Sequence, residues 1–255
     1  MKLEVLLSTI DVKTKDLDNM NITCKCTVIN KGIKEGLVKH KNFNIYTYNE
    51  SGVSKSKNRG LSKISEDIIL LSDDDVVYSD TFEKDILNEF KNNDKADVIF
   101  FNVESPKRGK RELTKRKRMH IWNSLNYATY NIAFRRKSIK GITFNEMFGP
   151  GAKYNNGTDT MFIKDIYENK LKVYSSPIYI GKVNQGESTW FKGYNEKYFY
   201  NKGALFTAIN KQMRHILMLQ YLIRHKEVLT DYKLFDAYKI MLKGSKEYLN
   251  DIRNS

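Results

Sequence analysis

Short apolar runs alternate with helix-like segments over the first hundred residues. The runs that predict β-strands lie at residues 3–9, 22–30, 42–48, 67–72 and 96–103. Between the last two, apolar residues recur on one helical face, at Phe82, Ile86, Leu87 and Phe90. Ser79 or Asp80 is expected to cap the start of this helix. Strands that alternate with helices predict an α/β fold with crossover helices.

The fourth of these runs is continuously apolar from Ile68 to Leu71. Both of its faces are therefore expected to be covered, as in a central strand of a parallel sheet. Asp73, Asp74 and Asp75 follow it directly. Because ligands of open α/β sheets bind in the crevice beyond the carboxyl ends of the strands, these aspartates are predicted to lie at a ligand site.

The second half of the chain begins with a change of composition. Residues 106–118 contain eight Lys or Arg residues and one acidic residue, Glu112, which predicts an exposed excursion of the chain. This basic segment either attracts an anionic acceptor or membrane headgroups, or is a solvated loop. Strand, glycine-rich loop, helix and strand then follow at residues 127–136, 148–157, 159–170 and 171–181. From about residue 198 the chain is helical and basic, as either a packed helix pair or a surface-binding tail.

Composition places the chain among folded proteins, because 40% of its 255 residues are hydrophobic and only three are proline. The opening residues lack the features of a secretory signal and are expected to form a strand, which predicts a cytoplasmic protein. Cys24 and Cys26 are expected to be reduced core residues on one face of a strand. The formal charge of +14 implies an acidic partner: nucleic acid, an anionic membrane surface or a phosphorylated substrate.

Three consecutive carboxylates repel one another unless a positive group neutralises them. A divalent cation is the natural partner, because Mg²⁺ and Mn²⁺ prefer carboxylate oxygens and often bind one or two of these together with substrate phosphates. The alternative is an acidic turn or a helix cap, since Asp is common at both. The position after a buried strand favours metal and nucleotide binding for Asp73, Asp74 and Asp75.

Several motifs follow one another along the first two hundred residues. The first strand ends in Ser8 and Thr9, the second in VINKG at 28–32, and GVSKSKNRGLSKI at 52–64 precedes LSDDDV at 71–76. Their order and separation resemble those of the family 2 glycosyltransferases of the GT-A fold, especially bacterial enzymes that build surface polysaccharides such as capsules. In the third motif Lys57 stands where this family usually has Arg.

The resemblance implies a role for each matching residue. The residues implied in nucleotide-sugar binding are Ser8, Thr9, Asn30, Lys57, Asn58, Asp73 and Asp74. Asp75, together with Asp73, corresponds to the family's DxD motif and would hold Mn²⁺ or Mg²⁺ against the donor diphosphate.

The glycine-rich loop belongs to a second motif, GPGAKYNNGTDTMFIKDI at residues 149–166. It resembles the Glu-Asp motif of the family, whose Asp is the catalytic base, and so implies that role for Asp159. Thr158 replaces the usual Glu, so either an orienting or acceptor-binding contact is lost or Thr158 itself contacts the acceptor. The structural alternative is that Thr158 or Asp159 is simply an N-cap.

A third segment, GKVNQGESTWFKGY at residues 181–194, resembles a region in which many relatives carry a His before Glu-Ser-Thr-Trp. That His can complete the metal shell, and here Val183, Asn184 and Gln185 stand in its place. Metal binding would then either be weaker or be completed by water and phosphate alone. Glu187 and Trp190 are implied in acceptor binding, with Trp190 either stacking on a sugar or packing in the interior.

Taken together, the motifs imply a Rossmann-like GT-A domain at residues 1–197 with a mixed, mainly parallel sheet. Residues 1–105 would form its nucleotide-sugar half and 106–197 its acceptor half, followed by a C-terminal helical extension at 198–255. The implied enzyme is an inverting, hexosyltransferase-like enzyme that moves a sugar from a UDP-sugar to a saccharide or lipid-linked acceptor. Peripheral contact with the inner face of the cell membrane and a homodimer are further expectations, and no nucleic-acid partner is expected.

Two other classes of protein stay open on the sequence. A metal-dependent nucleotidyltransferase would also bring carboxylates and a cation to phosphates, but the first strand lacks its usual glycine-rich or basic signature. A nucleic-acid-binding module fits the charge, but no zinc pattern or aromatic ribonucleoprotein motif accompanies it. Release of pyrophosphate would indicate the first, and salt-sensitive binding to bulk DNA without a response to nucleotide sugars the second.

Overall fold

The computed structural model describes residues 1–105, 112–184, 191 and 193–254. The strands are β1 (Leu3–Ile10), β2 (Lys25–Lys31), β3 (Gly36–His40), β4 (Phe43–Tyr48), β5 (Ile68–Asp73), β6 (Val76–Tyr78), β7 (Val98–Glu104), β8 (Lys117–Arg118), β9 (Ile132–Arg135) and β10 (Val173–Val183). The α-helices are α1 (Thr14–Asp18), α2 (Val53–Leu61), α3 (Phe82–Asn92), α4 (Ile121–Ser124), α5 (Thr158–Glu168), α6 (Glu196–Ile209), α7 (Arg214–Arg224) and α8 (Leu234–Asn254). Short 3-10 helices lie at Thr129–Asn131, Arg136–Ile139 and Lys226–Val228.

All ten strands of the described residues join one mixed sheet in the order β3-β4-β2-β1-β5-β9-β7-β10-β6, with β8 paired to β10. Strands β4, β2, β1 and β5 are parallel to one another, as are β7 and β10. Strand β9 is antiparallel to both β5 and β7 and joins the two groups. The predicted α/β fold with a mixed, mainly parallel sheet and C-terminal helices is confirmed.

Strand β5 is buried on both faces, as its continuous apolar run predicts. Ile68 and Leu70 pack into one hydrophobic cluster, and Ile69 and Leu71 pack into a second cluster on the opposite face. Helix α3 contributes to the first cluster and α5 to the second. The strands beside β5 are not both parallel to it, contrary to what the sequence predicts, because β5 is parallel to β1 but antiparallel to β9.

Two predicted element starts are wrong. Helix α3 begins at Phe82 rather than after a Ser79 or Asp80 cap. Thr81 occupies the N-cap position, and the Asp80 carboxylate instead accepts from Asn21 Nδ2 at 2.9 Å. The strand predicted at 127–136 is confined to β9, because the Asn131 side chain bonds the Ala128 amide and the Phe101 carbonyl and fixes a 3-10 turn before it.

The cysteine prediction is confirmed, since Cys24 and Cys26 are free thiols buried in the same cluster. The predicted basic excursion is described only from Glu112 onward. Residues 114–118 are exposed there, while Leu113 is buried and exchanges two hydrogen bonds with the Asn102 side chain.

Helices α6 and α8 cross at close range. A Cβ atom on Gly203 would lie 1.8 Å from the Met241 carbonyl oxygen, and one on Gly244 would lie 1.9 Å from that of Tyr200. The pair also packs on the loop before α5, where Phe148, Tyr154 and Tyr248 form one cluster. Among the described residues, no helix has the length and apolar content needed to cross a bilayer.

Candidate active site

The carboxyl ends of four parallel strands bring most of the predicted nucleotide-binding residues to one edge of the sheet. Ser8 of β1 is in register with Asp73 of β5, and Thr9 is in register with Asn30 of β2. The Thr9 hydroxyl donates to Asp74 Oδ2 at 2.5 Å. These residues therefore lie side by side in the crevice that the strand topology predicts.

Asn30 shapes this edge with both atoms of its amide. Its Oδ1 accepts from the Val12 amide at 3.0 Å, and its Nδ2 donates to Thr47 Oγ1 at 3.2 Å. The side chain thereby fixes the turn after β1 against β4.

Lys57 is the link between the two halves of the site. Its side chain projects from α2 and is only 4% exposed, with Nζ 3.3 Å from Asp73 Oδ1 and 3.9 Å from Asp159 Oδ1. Burial acts to lower the pKa of Lys57, but the attraction of Asp73 and Asp159 outweighs it, so the pKa is raised. The ammonium group is therefore held in its charged form between the two carboxylates.

Thr129 completes this network and was not predicted from the sequence. Its fully buried hydroxyl accepts from Lys57 Nζ at 2.6 Å and lies 3.3 Å from Asp159 Oδ1, to which it donates. It sits in the 3-10 turn before β9, where its neighbours match no motif, so the sequence carries no signal for it.

The start of α5 positions Asp159 through two glycines. Gly157 occupies the N-cap position with φ of 98°, and Gly149 has φ of 110°, both in the left-handed region that favours glycine. A Cβ atom on Gly149 would lie 1.8 Å from Thr158 Oγ1. Neither Thr158 nor Asp159 caps the helix with its side chain, which corrects the N-cap alternative.

Two predicted site residues use their side chains elsewhere. Thr158 is buried, and its hydroxyl donates to the Phe148 carbonyl at 3.3 Å and accepts from Ser54 Oγ at 3.4 Å. The Asn58 amide exchanges two hydrogen bonds with the backbone of Phe144, at 2.9 and 2.7 Å. Both residues therefore support the loops beneath the site rather than joining the Lys57 network.

Asp75 is the member of the aspartate triple that fits a cation best. Burial, followed by the charges of Asp73 and Asp74, raises its pKa to about 6. No ion pair reaches it among the described residues, and the same residues contain no set of three or more His, Cys, Asp or Glu side chains able to hold a metal. A partly buried carboxylate that lacks a positive partner fits a hard cation whose other ligands are phosphate oxygens and water.

Residues 183–185, which stand where many relatives carry a metal-binding His, begin next to Asp75. The Asn184 amide donates to the Asp75 carbonyl at 2.7 Å, and Val183 of β10 pairs with Val76 of β6 and is buried. Gln185, Glu187 and Trp190 lie outside the described residues. Their predicted roles stay predictions.

Comparison with known proteins identifies this arrangement. The sequence profile of glycosyl transferase family 2 matches residues 29–169. Among solved structures, S. aureus TarS 1-349 in complex with UDP-GlcNAc matches with a TM-score of 0.63 and 14% identity, covering 89% of this chain and 73% of that chain. The mannosyltransferase PcManGT from Pyrobaculum calidifontis, in complex with GDP-Man and Mn²⁺, matches with a TM-score of 0.57 and 10% identity, covering 98% and 87%. No curated protein matches the chain.

At these identities the two structures establish a shared GT-A fold. The family profile spans more than half of the chain and contains Lys57, the aspartate triple, Thr129 and Asp159. The chain therefore belongs to glycosyl transferase family 2 and is a glycosyltransferase of the GT-A fold.

Proposed function

We propose that the protein is an inverting glycosyltransferase that moves a sugar from a UDP-sugar to a saccharide or lipid-linked acceptor in bacterial surface-polysaccharide synthesis. The observation that supports this most is the buried Lys57 ammonium, which joins Asp73 at the strand edge to Asp159 on α5. Because the Lys57 ammonium contacts both the donor site and the general base, it can keep the two aligned for a single displacement reaction.

In the proposed reaction Asp159 acts as the general base. An acceptor hydroxyl attacks the anomeric carbon from the face opposite the nucleoside diphosphate. The new C–O bond forms as the bond between the anomeric carbon and the phosphate oxygen breaks, and the hydroxyl proton passes to the Asp159 carboxylate. Lys57 and Thr129 hold this carboxylate in place from below, through Oδ1.

Donor binding is assigned to the strand edge, with Ser8, Thr9, Asn30, Asp73 and Asp74 around the nucleotide. Asp75, with Asp73, would hold Mn²⁺ or Mg²⁺, which when bound neutralises charge on the leaving diphosphate. The structures of TarS with UDP-GlcNAc and of PcManGT with GDP-Man and Mn²⁺ support a nucleotide-sugar donor and a cation. UDP is the nucleotide that we propose.

The acceptor half is proposed to consist of residues 106–197, with Glu187 and Trp190 at the acceptor. The helical extension at 198–255 follows it as a separate part of the chain. We also retain a peripheral contact of the basic segment with an anionic surface at the inner face of the membrane, and a homodimer. Arg116 is unsuited to that contact, because its guanidinium makes three hydrogen bonds to the Glu89 carboxylate. Lys115, Lys117 and Arg118 are exposed and would carry it.

A thermal-shift experiment tests the donor assignment. UDP-GlcNAc, other UDP-sugars and GDP-Man are added with and without Mn²⁺, and a ligand that binds the folded state raises the melting temperature. We expect a UDP-sugar to raise it, and Mn²⁺ to increase the shift. Asp75→Asn should remove the increase due to Mn²⁺ because the proposed cation ligand is neutralised.

The matched control is Asp94→Asn, which alters an exposed aspartate after α3. It should keep the full response to Mn²⁺ and the UDP-sugar. If no nucleotide sugar stabilises the parent protein with or without Mn²⁺, the donor assignment is wrong. If Asp75→Asn responds to Mn²⁺ like the parent, the assignment of the cation to Asp75 is wrong. Release of pyrophosphate instead of nucleoside diphosphate from a stabilising donor would indicate a nucleotidyltransferase.

A further inference from the structure

Helix α7 carries apolar residues on two opposite faces. Met218 and Leu222 are fully buried against the helical C-terminal cluster. The opposite face is exposed and holds Met213 at its N-cap position followed by Ile216, Leu219 and Ile223, which are 38%, 61%, 38% and 57% exposed. These residues are three or four positions apart, so they line one side of the helix. We call these four residues the α7 stripe.

The stripe lies within a strongly basic stretch of chain. Residues 211–226 contain no Asp or Glu, and their basic residues are Lys211, Arg214, His215, Arg224, His225 and Lys226. His225 contacts Glu227 at 2.8 Å. Among the described residues, no ion pair neutralises the four Lys and Arg side chains of this stretch. An apolar stripe with uncompensated positive charge at both ends is complementary to an anionic surface with an apolar interior.

The first turns of α8 carry exposed apolar side chains of their own. Leu234 and Phe235 are 38% and 62% exposed, and Lys239 Nζ lies 4.3 Å from the centre of the Phe235 ring. His215 Nδ1 is 2.9 Å from the Tyr238 hydroxyl, which joins the start of α7 to the adjacent turn of α8. The start of α7 therefore lies next to the first turns of α8, which carry Leu234 and Phe235.

We propose that the α7 stripe docks on an anionic lipid bilayer, with the helix lying in the plane of the interface. Exposed apolar residues on one helical face together with flanking Lys and Arg are the features of helices that bind in this way. A second copy of the chain would bring the same uncompensated basic residues together, which opposes self-association through this face. The stripe is separate from the Lys57 network, so this inference does not depend on the donor or on the acceptor.

Cosedimentation of the full chain with vesicles tests the proposal. Vesicles of phosphatidylcholine alone are compared with vesicles that also contain phosphatidylglycerol, and binding is expected mainly to the latter. The double variant Ile216→Ser/Ile223→Ser should weaken partitioning about tenfold for each side chain removed from the bilayer. Because both positions are exposed, the variant should keep the parent's circular dichroism and melting temperature. Ile33→Ser is the matched control, since Ile33 is 90% exposed and remote in sequence, and it should bind like the parent.

Charge variants separate this surface from the basic segment. Lys211→Ser/Arg224→Ser/Lys226→Ser should weaken binding to the anionic vesicles about fivefold per charge. If Lys115→Ser/Lys117→Ser/Arg118→Ser abolishes binding while the stripe variant binds normally, lipid docks at the basic segment and the α7 proposal is wrong. Sedimentation velocity without vesicles provides the second test. A dimer of the parent that the stripe variant loses would assign the stripe to a second copy and overturn lipid docking.

Discussion

A single buried lysine explains how two carboxylates from distant parts of the chain stay together. Asp73 ends β5 and Asp159 lies in the first turn of α5, and Lys57 approaches both with its side chain almost fully buried. Removing one partner of a buried ion pair typically costs about 3–5 kcal/mol, because the other charge is left buried without compensation. We therefore attribute to Lys57 both the stability of the site and the alignment of its halves.

The Thr129 hydroxyl is expected to contribute to stability and turnover through its hydrogen bond with Lys57. Thr129→Val keeps the shape of the side chain but removes the acceptor of the 2.6 Å bond from Lys57. A buried donor left without its partner costs about 1–3 kcal/mol, so urea unfolding should show a loss of stability in that range. Turnover should fall while the donor dissociation constant changes little, because Asp159 loses the same hydroxyl.

The conservative variant Thr129→Ser serves as the control and should recover both stability and turnover. A Thr129→Val protein with the parent's stability and turnover would show that this hydroxyl does not position Asp159.

The residues that the sequence predicted best are those whose position follows from a strand end. Asp73 and Ser8 are brought together by parallel register, which the apolar runs of β1 and β5 already imply. Thr129 could not be predicted, since its approach to Lys57 depends on the antiparallel insertion of β9. Asn58 matches a family motif position, and Thr158 stands at the position before the motif Asp. A motif does not reveal that their side chains form hydrogen bonds with backbone carbonyls, of Phe144 and Phe148 respectively.

At the scale of elements, the position of α5 depends on glycines in the loop before it. The left-handed backbone at Gly149 and Gly157 allows the loop to pass close to Thr158 and Leu205, and a Cβ at Gly157 would lie 2.6 Å from Leu205 Cδ1. Helix α6, which carries Leu205, is therefore part of the support of the Asp159 turn. The packing of α6 against α8 therefore determines the position of Leu205 relative to the Asp159 turn.

Gly203→Ala tests the close crossing of α6 and α8. In an isolated helix, Ala is more favourable than Gly by about 1 kcal/mol, so propensity alone predicts a more stable protein. The new Cβ would lie 1.8 Å from the Met241 carbonyl oxygen, and the helices must separate to admit it. We expect a net loss of about 1–3 kcal/mol in urea unfolding. A variant as stable as the parent or more stable would mean that the helices are not packed at this distance.

The same contrast explains which elements the sequence revealed. Buried strands such as β1 and β5 stand out because each contains an uninterrupted apolar run, at residues 5–7 in β1 and 68–71 in β5. Strand β3 was missed because it is an edge strand whose residues are mostly exposed, so no apolar pattern marks it. Strand β6 was missed because it has only three residues and follows the aspartate triple after a tight turn.

For the whole molecule, the C-terminal helices and the sheet domain share a core at the loop that leads to Asp159. Phe148 and Tyr154 of this loop pack against Tyr248 of α8, and the Tyr154 hydroxyl donates to Asp251 Oδ2 at 2.6 Å. Lys153 also pairs with Asp251 and with Glu247. The proposed boundary at residue 198 therefore crosses continuous packing.

This shared core predicts one cooperative unfolding transition. In scanning calorimetry of the full chain, the calorimetric enthalpy should equal the van't Hoff enthalpy, as for a two-state protein. Tyr248→Ala should lower the midpoint of this one transition, because it removes an aromatic side chain from the shared core. Two separate transitions, with only the lower one shifted by Tyr248→Ala, would indicate that the helices fold independently of the sheet domain.

The most direct test of the account is the turnover of Asp159→Asn measured as release of nucleoside diphosphate in the presence of acceptor. The variant should lose about 10²–10⁴-fold in kcat, because the amide cannot accept the acceptor proton, while calorimetric binding of the donor stays near that of the parent. Asp165→Asn, further along the same helix, is the matched control and should keep most of the activity. Near-normal transfer by Asp159→Asn would contradict the assignment of the base and, with it, the proposed role of the Lys57 network.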